Sequence, residues 1–184
     1  MAKHPSIFLD RDGTIIEDRG YIKDPSDVVF YTTSFKALSI LQKQFLLFII
    51  TNQSGVSKGF TTESEVKKVN KYLIEYLKAR SVVIYDVFYC PHRSENNCDC
   101  KKPNPYFIKK AAELYNLNLA DSYIFGDHPS DVKCGLNAGV KPIYLLTGHG
   151  SKHKDELTPD VKICSNILEA AKYVVELNCF LRKR

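Results

Sequence analysis

The stretch that decides the fold is SIFLDRDGT, residues 6–14. It starts as a mostly apolar, β-rich run that stops abruptly at two aspartates separated by one residue. If the run is a buried strand, Asp10 lies at its carboxyl end, Asp12 can point the same way, and Gly13 lets the chain turn. Two carboxylates this close repel each other unless a cation or a proton intervenes. The stretch therefore predicts either a pair of acids that holds Mg²⁺, with one carboxylate free to attack, or an ordinary acidic turn.

Length and composition narrow the class of protein. The 184 residues suit a single domain over residues 1–184 with an ample core. The formal net charge of +5 suits phosphorylated ligands but is far from a nucleic-acid-binding footprint. No apolar run approaches transmembrane length, and aspartates come too early for a signal peptide. We therefore expect a cytosolic protein that binds neither nucleic acid nor a membrane.

Apolar runs of strand length alternate with helical patterns along the chain. Strands are predicted at 6–9, 45–50, 82–89, 123–125 and 143–146, and helices at 34–43, after 62, at 106–115, after 130 and after 166. Thr62 with Glu65, and Asn166 with Glu169, are typical of helix N-termini. The glycine- and lysine-rich stretch 147–159 is predicted to be a mobile loop. This alternation predicts an α/β fold with a doubly wound, mainly parallel sheet, which binds ligands at the carboxyl ends of its strands.

Acids at those strand ends have the chemistry of phosphoryl transfer. The reaction needs a nucleophile, a counter-charge for the phosphate and a proton source for the leaving group. Asp10 can attack phosphorus, and Asp12 can protonate the leaving oxygen and then deprotonate a water. Asp127, at the end of another predicted strand, can complete a Mg²⁺ site with Asp10 and a backbone carbonyl.

Three further residues can bind the phosphoryl oxygens. Thr51 and Asn52 offer a hydroxyl and an amide, and Lys102 offers a full positive charge. These residues also have ordinary explanations. Thr51 and Asn52 suit a helix cap or turn, and Lys102 suits a solvated surface charge. Asp127 and Asp131 suit the cap of the helix near residue 130. Taken together, in this order and at these strand ends, the residues favour phosphoryl transfer.

A second cluster of residues has the character of a metal site. Two short knuckles, CPH and CDC, are separated by five residues. The four candidate ligands are Cys90, His92, Cys98 and Cys100. Three thiolates and an imidazole favour a closed, structural Zn²⁺ site over free thiols or a redox pair. Because Lys102 follows directly, the zinc is expected to fix where this lysine points. The scattered cysteines are predicted to fill the core as small apolar residues: Cys134, Cys164 and Cys179.

The motifs resemble those of a known family. DRDGT (10–14), TNQSG (51–55), Lys102 before Pro103, and Gly126-Asp127 with Asp131 resemble the four motifs of the haloacid dehalogenase superfamily. The zinc loop CPH…CDCKKP is similar to that of the heptose-bisphosphate and histidinol phosphatase branch. The segment TNQSGVSKG (51–59) is more similar to the D-glycero-D-manno-heptose 1,7-bisphosphate 7-phosphatases, because histidinol phosphatases more typically have Asp where Ser54 stands.

The resemblance implies a haloacid dehalogenase fold without a large cap domain and with a zinc-binding loop at 90–100. It implies that Asp10 is the nucleophile, that Asp12 is the general acid/base, and that Mg²⁺ is held by Asp10, Asp12 and Asp127. Thr51 and Lys102 would steady the phosphoryl group. The implied substrate contacts are Asp18, Arg19, Gly20, Tyr21, Thr51, Asn52, Gln53, Ser54, Lys101, Lys102 and His128. The implied protein is a monomer acting on a soluble sugar bisphosphate for lipopolysaccharide or surface-glycan assembly.

Two residues depart from the family pattern. Lys101 stands where the family often has Arg, whose planar fork grips phosphate in a way that Lys cannot. His128 stands where the family often has Lys. These changes leave open a histidinol phosphatase or a broader sugar phosphatase. Two other classes are a phospho-receiver domain, which needs no acid at Asp12 and no zinc loop, and a zinc-bearing nucleic-acid binder, which the modest charge disfavours.

Overall fold

The computed structural model describes residues 3–181 of the chain. The strands are β1 Ser6–Leu9, β2 Leu46–Asn52, β3 Asp86–Cys90, β4 Tyr123–Gly126, β5 Lys141–Leu145 and β6 Lys162–Cys164. The α-helices are α1 Ser34–Leu41, α2 Glu63–Lys78, α3 Tyr106–Tyr115, α4 Pro129–Ala138, α5 Gly150–His153 and α6 Ile167–Leu181. Between residues 3 and 181, no helix is both long enough and apolar enough to span a bilayer.

The six strands form one parallel sheet in the order β3-β2-β1-β4-β5-β6. The chain builds outward from β1 through β2 to β3, and then returns to place β4 on the other side of β1. The strand order therefore reverses between β1 and β4, which opens a crevice at their carboxyl ends. This confirms the doubly wound parallel sheet predicted from the sequence.

Strand β1 is buried on both faces. Ile7 and Leu9 pack in the core that contains side chains of α1, α2 and α6, whereas Phe8 packs on the other face with Ile108 of α3. These three side chains are fully buried, and so is that of Ser6. A strand buried on both faces has a continuous apolar sequence, and this explains why SIFL identified the strand. Burial on both faces also fixes the position of Asp10, which follows directly.

Three stretches differ from the predictions. The strand predicted at 82–89 begins only at Asp86. In the residues before it, Val82 is buried and Val83 is exposed, which is a strand-like alternation. The Tyr85 N–H donates to the Leu47 carbonyl of β2 at 2.8 Å, but the regular pairing with β2 starts at Asp86. Strand β6, which the sequence does not predict, has only three residues. The loop predicted at 147–159 is folded instead, because it contains α5 and a 3-10 turn at Lys154–Glu156.

The two predicted capping pairs behave differently. Thr62 accepts a hydrogen bond from the backbone N–H of Glu65, whose carboxylate accepts one from the Thr62 N–H, so the capping box of α2 is confirmed. At α6, the Asn166 side chain accepts from the backbone N–H of Glu169, but the Glu169 carboxylate reaches back to Ser165.

Candidate active site

Three predicted site residues lie at the carboxyl edge of the sheet. Asp10 follows β1, and its backbone N–H donates to the carbonyl oxygen of Phe125 in β4 at 2.9 Å. Thr51 lies near the end of β2, and Asp127 follows β4 directly. The parallel sheet thus brings together residues that are far apart in the sequence.

Three carboxylates form a compact acidic cluster. Oxygen atoms of Asp10, Asp127 and Asp131 all lie within 4.8 Å of one another. Burial raises the pKa of Asp10 to about 7, although the charge of Lys102 opposes this shift. Burial, together with the negative charges of Asp10 and Asp131, raises the pKa of Asp127 to about 8. Three ionised carboxylates and one lysine leave two negative charges in excess, so the donor set and the charge both fit a divalent cation such as Mg²⁺.

Lys102 is the buried counter-charge of this cluster. Its Nζ lies 2.8 Å from Asp10 Oδ1 and 2.6 Å from Asp131 Oδ1, and it donates to the carbonyl oxygen of Ile50 at 2.9 Å. Burial by itself lowers the pKa of Lys102, but the two carboxylates more than offset this and raise the pKa above its ordinary value. Lys102 is therefore a permanent cation beside Asp10, able to neutralise an anionic ligand.

Small residues let Asp127 pack tightly. At Gly13 and Gly148 the backbone φ is +78° and +51°, and a Cβ at either position would overlap the Asp127 carboxylate. The backbone N–H of His149 donates to Asp127 Oδ2 at 2.7 Å, and Thr147 Oγ1 donates to the carbonyl oxygen of Gly13 at 2.6 Å. The start of the stretch predicted to be a mobile loop is therefore part of the site, because it binds an acid of the cluster.

The carboxylate of Asp12 has a separate set of partners. Arg11 donates to it through Nε at 3.0 Å and through a terminal nitrogen at 3.2 Å, and Gln53 Nε2 donates to Oδ2 at 2.9 Å. Arg11 is itself buried and donates to Asn70. The resemblance implies Mg²⁺ held by Asp10, Asp12 and Asp127. In the structure Arg11 and Gln53 engage the Asp12 carboxylate, and the third carboxylate of the acidic cluster is that of Asp131.

The residues after β2 position other site residues. Asn52 Oδ1 accepts from the backbone N–H of Lys102 at 3.0 Å, and Asn52 Nδ2 donates to the Lys102 carbonyl at 3.3 Å. Gln53 Nε2 donates to Thr51 Oγ1 at 2.9 Å as well as to Asp12. The sequence predicted Asn52 and Gln53 as substrate contacts, whereas their amides are engaged in holding Lys102, Thr51 and Asp12.

The crevice opens into a cleft with a volume of 680 Å³. The predicted site residues that line it are Asp10, Asp12, Asp18, Thr51, Asn52, Ser54, Lys101, Lys102, Asp127 and His128. The predicted contacts outside its lining are Arg19, Gly20, Tyr21 and Gln53. Arg19 pairs with Glu17, and Tyr21 stacks on Phe60 with ring centroids 4.7 Å apart. Arg19 and Tyr21 thus make their contacts with residues that do not line the cleft.

The cleft also contains residues that the sequence did not single out as contacts: Lys58, Ser94, Ser130, His149, Lys152 and His153. Lys58 is within the motif segment TNQSGVSKG, so a signal was present there. Lys152 and His153 lie on α5, in a stretch without hydrophobic periodicity. Only the tertiary structure reveals that α5 borders the cleft.

The second predicted metal cluster is also assembled. Its four ligand atoms, from Cys90, His92, Cys98 and Cys100, lie within 4.8 Å of one another. The three Sγ–Sγ separations are 3.5, 3.2 and 3.6 Å, and His92 Nδ1 lies 3.6 and 3.4 Å from two of the sulfurs. A tetrahedral centre with Zn–S bonds of about 2.3 Å has edges of about 3.8 Å, so the geometry fits Zn²⁺.

The other cysteines are placed differently. Cys134 and Cys164 are buried, as predicted for core residues, but Cys179 is exposed on α6. The prediction for Cys179 was wrong because α6 carries this residue on its outer side.

The predicted metal-binding loop, residues 90–100, contacts the candidate active site. The N–H of Gln53 donates to the carbonyl oxygen of Cys90 at 2.7 Å, and Lys101 Nζ donates to that of His92 at 3.3 Å. Asn104, two residues after Lys102, donates from Nδ2 to the Cys98 carbonyl at 3.0 Å. The loop is thus bonded to Gln53, which contacts Asp12, and to Lys101 and Asn104, which flank Lys102 in the sequence.

The fold and the site together define a haloacid dehalogenase-like hydrolase: a doubly wound parallel sheet, two aspartates after its first strand, and a buried lysine paired with the first of them. The family model described as HAD-hydrolase-like matches residues 99–170. A D-glycero-beta-D-manno-heptose-1,7-bisphosphate 7-phosphatase of Helicobacter pylori is 37% identical over 177 residues, covering 95% of this chain and 99% of that protein. The chain belongs to the D-glycero-D-manno-heptose 1,7-bisphosphate 7-phosphatase family, as its motifs predicted.

Two further comparisons agree with this placement. A D-glycero-alpha-D-manno-heptose-1,7-bisphosphate 7-phosphatase of Campylobacter jejuni is 34% identical over 145 residues, covering 78% of this chain and 83% of that protein. The crystal structure of D,D-heptose 1,7-bisphosphate phosphatase from B. bronchiseptica, complexed with magnesium and phosphate, has a TM-score of 0.87 at 26% identity. It covers 94% of this chain and 99% of that one.

Proposed function

We propose that this chain is a Mg²⁺-dependent phosphomonoesterase that removes the 7-phosphate of D-glycero-D-manno-heptose 1,7-bisphosphate. The observation that carries the proposal is the Asp10 carboxylate held 2.8 Å from the buried Lys102 ammonium at the switch point of the sheet. A fixed carboxylate next to a fixed cation suits attack on an electrophile that is itself anionic. The relatives of this chain, which are heptose-1,7-bisphosphate 7-phosphatases, indicate the substrate.

Magnesium would be held by Asp10, Asp127 and Asp131, whose oxygens already converge. Asp12 is expected to contribute its backbone carbonyl, because Arg11 and Gln53 engage its carboxylate. Bound Mg²⁺ offsets the repulsion between a carboxylate and a phosphate dianion. Support for this ion comes from the magnesium in the B. bronchiseptica structure.

In the first step, a carboxylate oxygen of Asp10 bonds to phosphorus while the bond from phosphorus to the sugar oxygen breaks. Protonated Asp12 gives its proton to the departing oxygen, so the sugar leaves as an alcohol. Lys102 and the Thr51 hydroxyl stabilise the phosphoryl oxygens. The product is an aspartyl-phosphate on Asp10 and an ionised Asp12.

In the second step, Asp12 removes a proton from a water whose oxygen attacks phosphorus. The bond between phosphorus and the Asp10 oxygen breaks, inorganic phosphate leaves, and both acids return to their starting states. Arg11 and Gln53 hold the Asp12 carboxylate in one orientation through the cycle, because they donate to both of its oxygens. Asp12 therefore serves as acid first and as base second.

The rest of the substrate is expected to occupy the cleft. Asp18, Ser54, Lys101 and His128 line it and are proposed to contact the sugar or its second phosphate. Because Lys101 and His128 replace residues that are often Arg and Lys in the family, we expect weaker binding of the distal phosphate than a bidentate Arg would provide.

A substrate panel tests the assignment. We expect kcat/KM for heptose 1,7-bisphosphate to exceed that for histidinol phosphate by about a hundredfold or more. Histidinol phosphate has no second phosphate, so the cations of the site that would bind this group are left without a partner. The panel should include both anomers, since the relatives are named for the beta form in one case and the alpha form in the other. Faster turnover of histidinol phosphate would make the heptose assignment fail.

We also propose that the cysteine–histidine cluster holds a structural Zn²⁺ that positions Lys102. Four protein ligands leave no open coordination position, so this zinc would take no part in the chemistry. Its support is the tetrahedron-like spacing of the ligand atoms and the contacts of the loop with Gln53 and Lys101.

Substituting one ligand tests the zinc proposal. Cys98→Ser is expected to remove most of the bound zinc and to lower kcat by about 10- to 100-fold, because Lys102 loses its support. Zinc content by elemental analysis and kcat are measured together. Cys179→Ser, an exposed thiol outside the cluster, is the matched control and is expected to change neither. Zinc loss with unchanged kcat would refute the positioning role.

The cellular setting remains part of the proposal. We infer a monomer that acts in the cytoplasm on a small sugar bisphosphate, without nucleic-acid or membrane partners. The reduced thiols of the cluster suit a reducing compartment. Removal of the 7-phosphate would serve the assembly of heptose for lipopolysaccharide or another surface glycan.

A further inference from the structure

Three lysines line the cleft without a carboxylate partner. The Lys58 ammonium donates to the hydroxyl oxygen of Tyr21, and that of Lys101 donates to the backbone of the metal-binding loop. The Lys152 ammonium makes no ion pair or side-chain hydrogen bond with any residue from 3 to 181. Lys102 differs from all three, because the acidic cluster already uses its charge. Lys152 is thus the uncommitted cation of the cleft.

Lys152 lies on α5, which hydrogen bonds connect to the sheet and to the acidic cluster. The Tyr144 hydroxyl donates to the carbonyl oxygen of Gly150 at 3.1 Å, and Ser151 Oγ donates to that of Leu146 at 3.0 Å. One residue before α5, the backbone N–H of His149 donates to the Asp127 carboxylate. The Cα of Lys152 therefore has a defined position relative to the acids that would hold the metal, although its side chain is exposed.

The surroundings of Lys152 are polar and suited to an anion. His128 and His153 both line the same wall of the cleft, with ring centroids 5.1 Å apart. The nearby acids are already paired: Asp18 contacts His149 Nε2 at 2.9 Å, and Glu156 contacts His153 Nδ1 at 2.6 Å. An anion on this wall would meet a free ammonium and imidazole N–H groups, with the neighbouring carboxylates engaged elsewhere.

We propose that Lys152, on the wall it shares with His128 and His153, binds the second phosphate of the bisphosphate substrate. This inference rests on the proposed function and adds a residue that determines specificity for a doubly phosphorylated sugar. Lys152 would supply part of the grip on phosphate that Lys101 lacks as a substitute for Arg. The contact is made to a phosphate that does not react, so it acts on binding and not on the chemical step.

The test compares two substrates that differ only in the distal phosphate, heptose 1,7-bisphosphate and heptose 7-phosphate. For Lys152→Met we expect the ratio of their kcat/KM values to fall about tenfold, mainly through KM for the bisphosphate. The inhibition constant of the product heptose 1-phosphate, which keeps the distal phosphate, should rise by a similar factor. Lys154→Met removes the same charge two residues away, outside the lining of the cleft, and should leave the ratio unchanged.

Three outcomes would overturn the inference. Parallel losses on both substrates would mean that Lys152 only supports the fold of the site. An unchanged ratio for Lys152→Met would mean that the second phosphate lies elsewhere. A ratio that falls for Lys101→Met and not for Lys152→Met would place this phosphate at Lys101, beside the metal-binding loop. Failure of the proposed function has a different signature, because the unsubstituted protein would then show no preference for the bisphosphate.

Discussion

Replacing Asp10 with asparagine is expected to lower turnover by on the order of 10⁴- to 10⁶-fold and to abolish phosphoenzyme formation. The amide oxygen is a poor nucleophile, and the carboxylate of Asp12, two residues further on, is engaged by Arg11 and Gln53. The fold should survive, because burial raises the pKa of Asp10 to about 7 and a neutral side chain at this position removes a repulsion. Turnover, acid-quenched labelling and thermal unfolding measure the three effects.

Asp155→Asn is the matched control for this substitution. Asp155 is exposed in the turn after α5 and does not line the cleft, so we expect unchanged turnover. Phosphoenzyme that persists in Asp10→Asn would move the nucleophile to another residue and would invalidate the proposed first step.

Replacing Asp12 with asparagine is expected to separate the two half-reactions. With a sugar phosphate, the leaving oxygen loses its proton donor, and turnover should fall by about 10²- to 10⁴-fold. With an aryl phosphate, whose leaving group needs little protonation, Asp10 can still be phosphorylated, but hydrolysis of the intermediate slows because no base activates the water. The variant should therefore accumulate phosphoenzyme, measured by rapid acid quench.

The aryl phosphate is an internal control for folding, since a misfolded variant would not be labelled at all. A phospho-receiver domain would give another result, because it has no catalytic turnover to lose. If Asp12→Asn hydrolysed sugar phosphates at the unsubstituted rate, Asp12 would have no acid/base role and its contacts with Arg11 and Gln53 would be structural only.

Much of the fold was predictable because β1, β2 and β4 are buried on both faces and have continuous apolar sequences. The capping box at Thr62 similarly marked the start of α2 within one residue. Short or edge elements were harder. Three-residue β6 carries too little pattern, and the four-residue α5 is likewise too short for a hydrophobic period to mark it.

The candidate site was predictable where residues follow strands directly. Asp10 and Asp127 are examples, since the end of a parallel strand fixes where the next side chain can lie. The roles of side chains that point toward one another were not predictable. Gln53 and Asp131 belong to motifs that the sequence identifies, but the contact of Gln53 with Asp12 and the position of Asp131 in the acidic cluster depend on tertiary packing.

The most direct test of the central claim is the location of the covalent phosphate. Asp12→Asn is mixed with an aryl phosphate and Mg²⁺, quenched in acid and digested, and the peptides are analysed by mass spectrometry. We expect one added phosphoryl group on the peptide that contains Asp10, and no such adduct when Asp10 is also replaced by asparagine. An adduct on any other residue, or full turnover without any adduct, would contradict it.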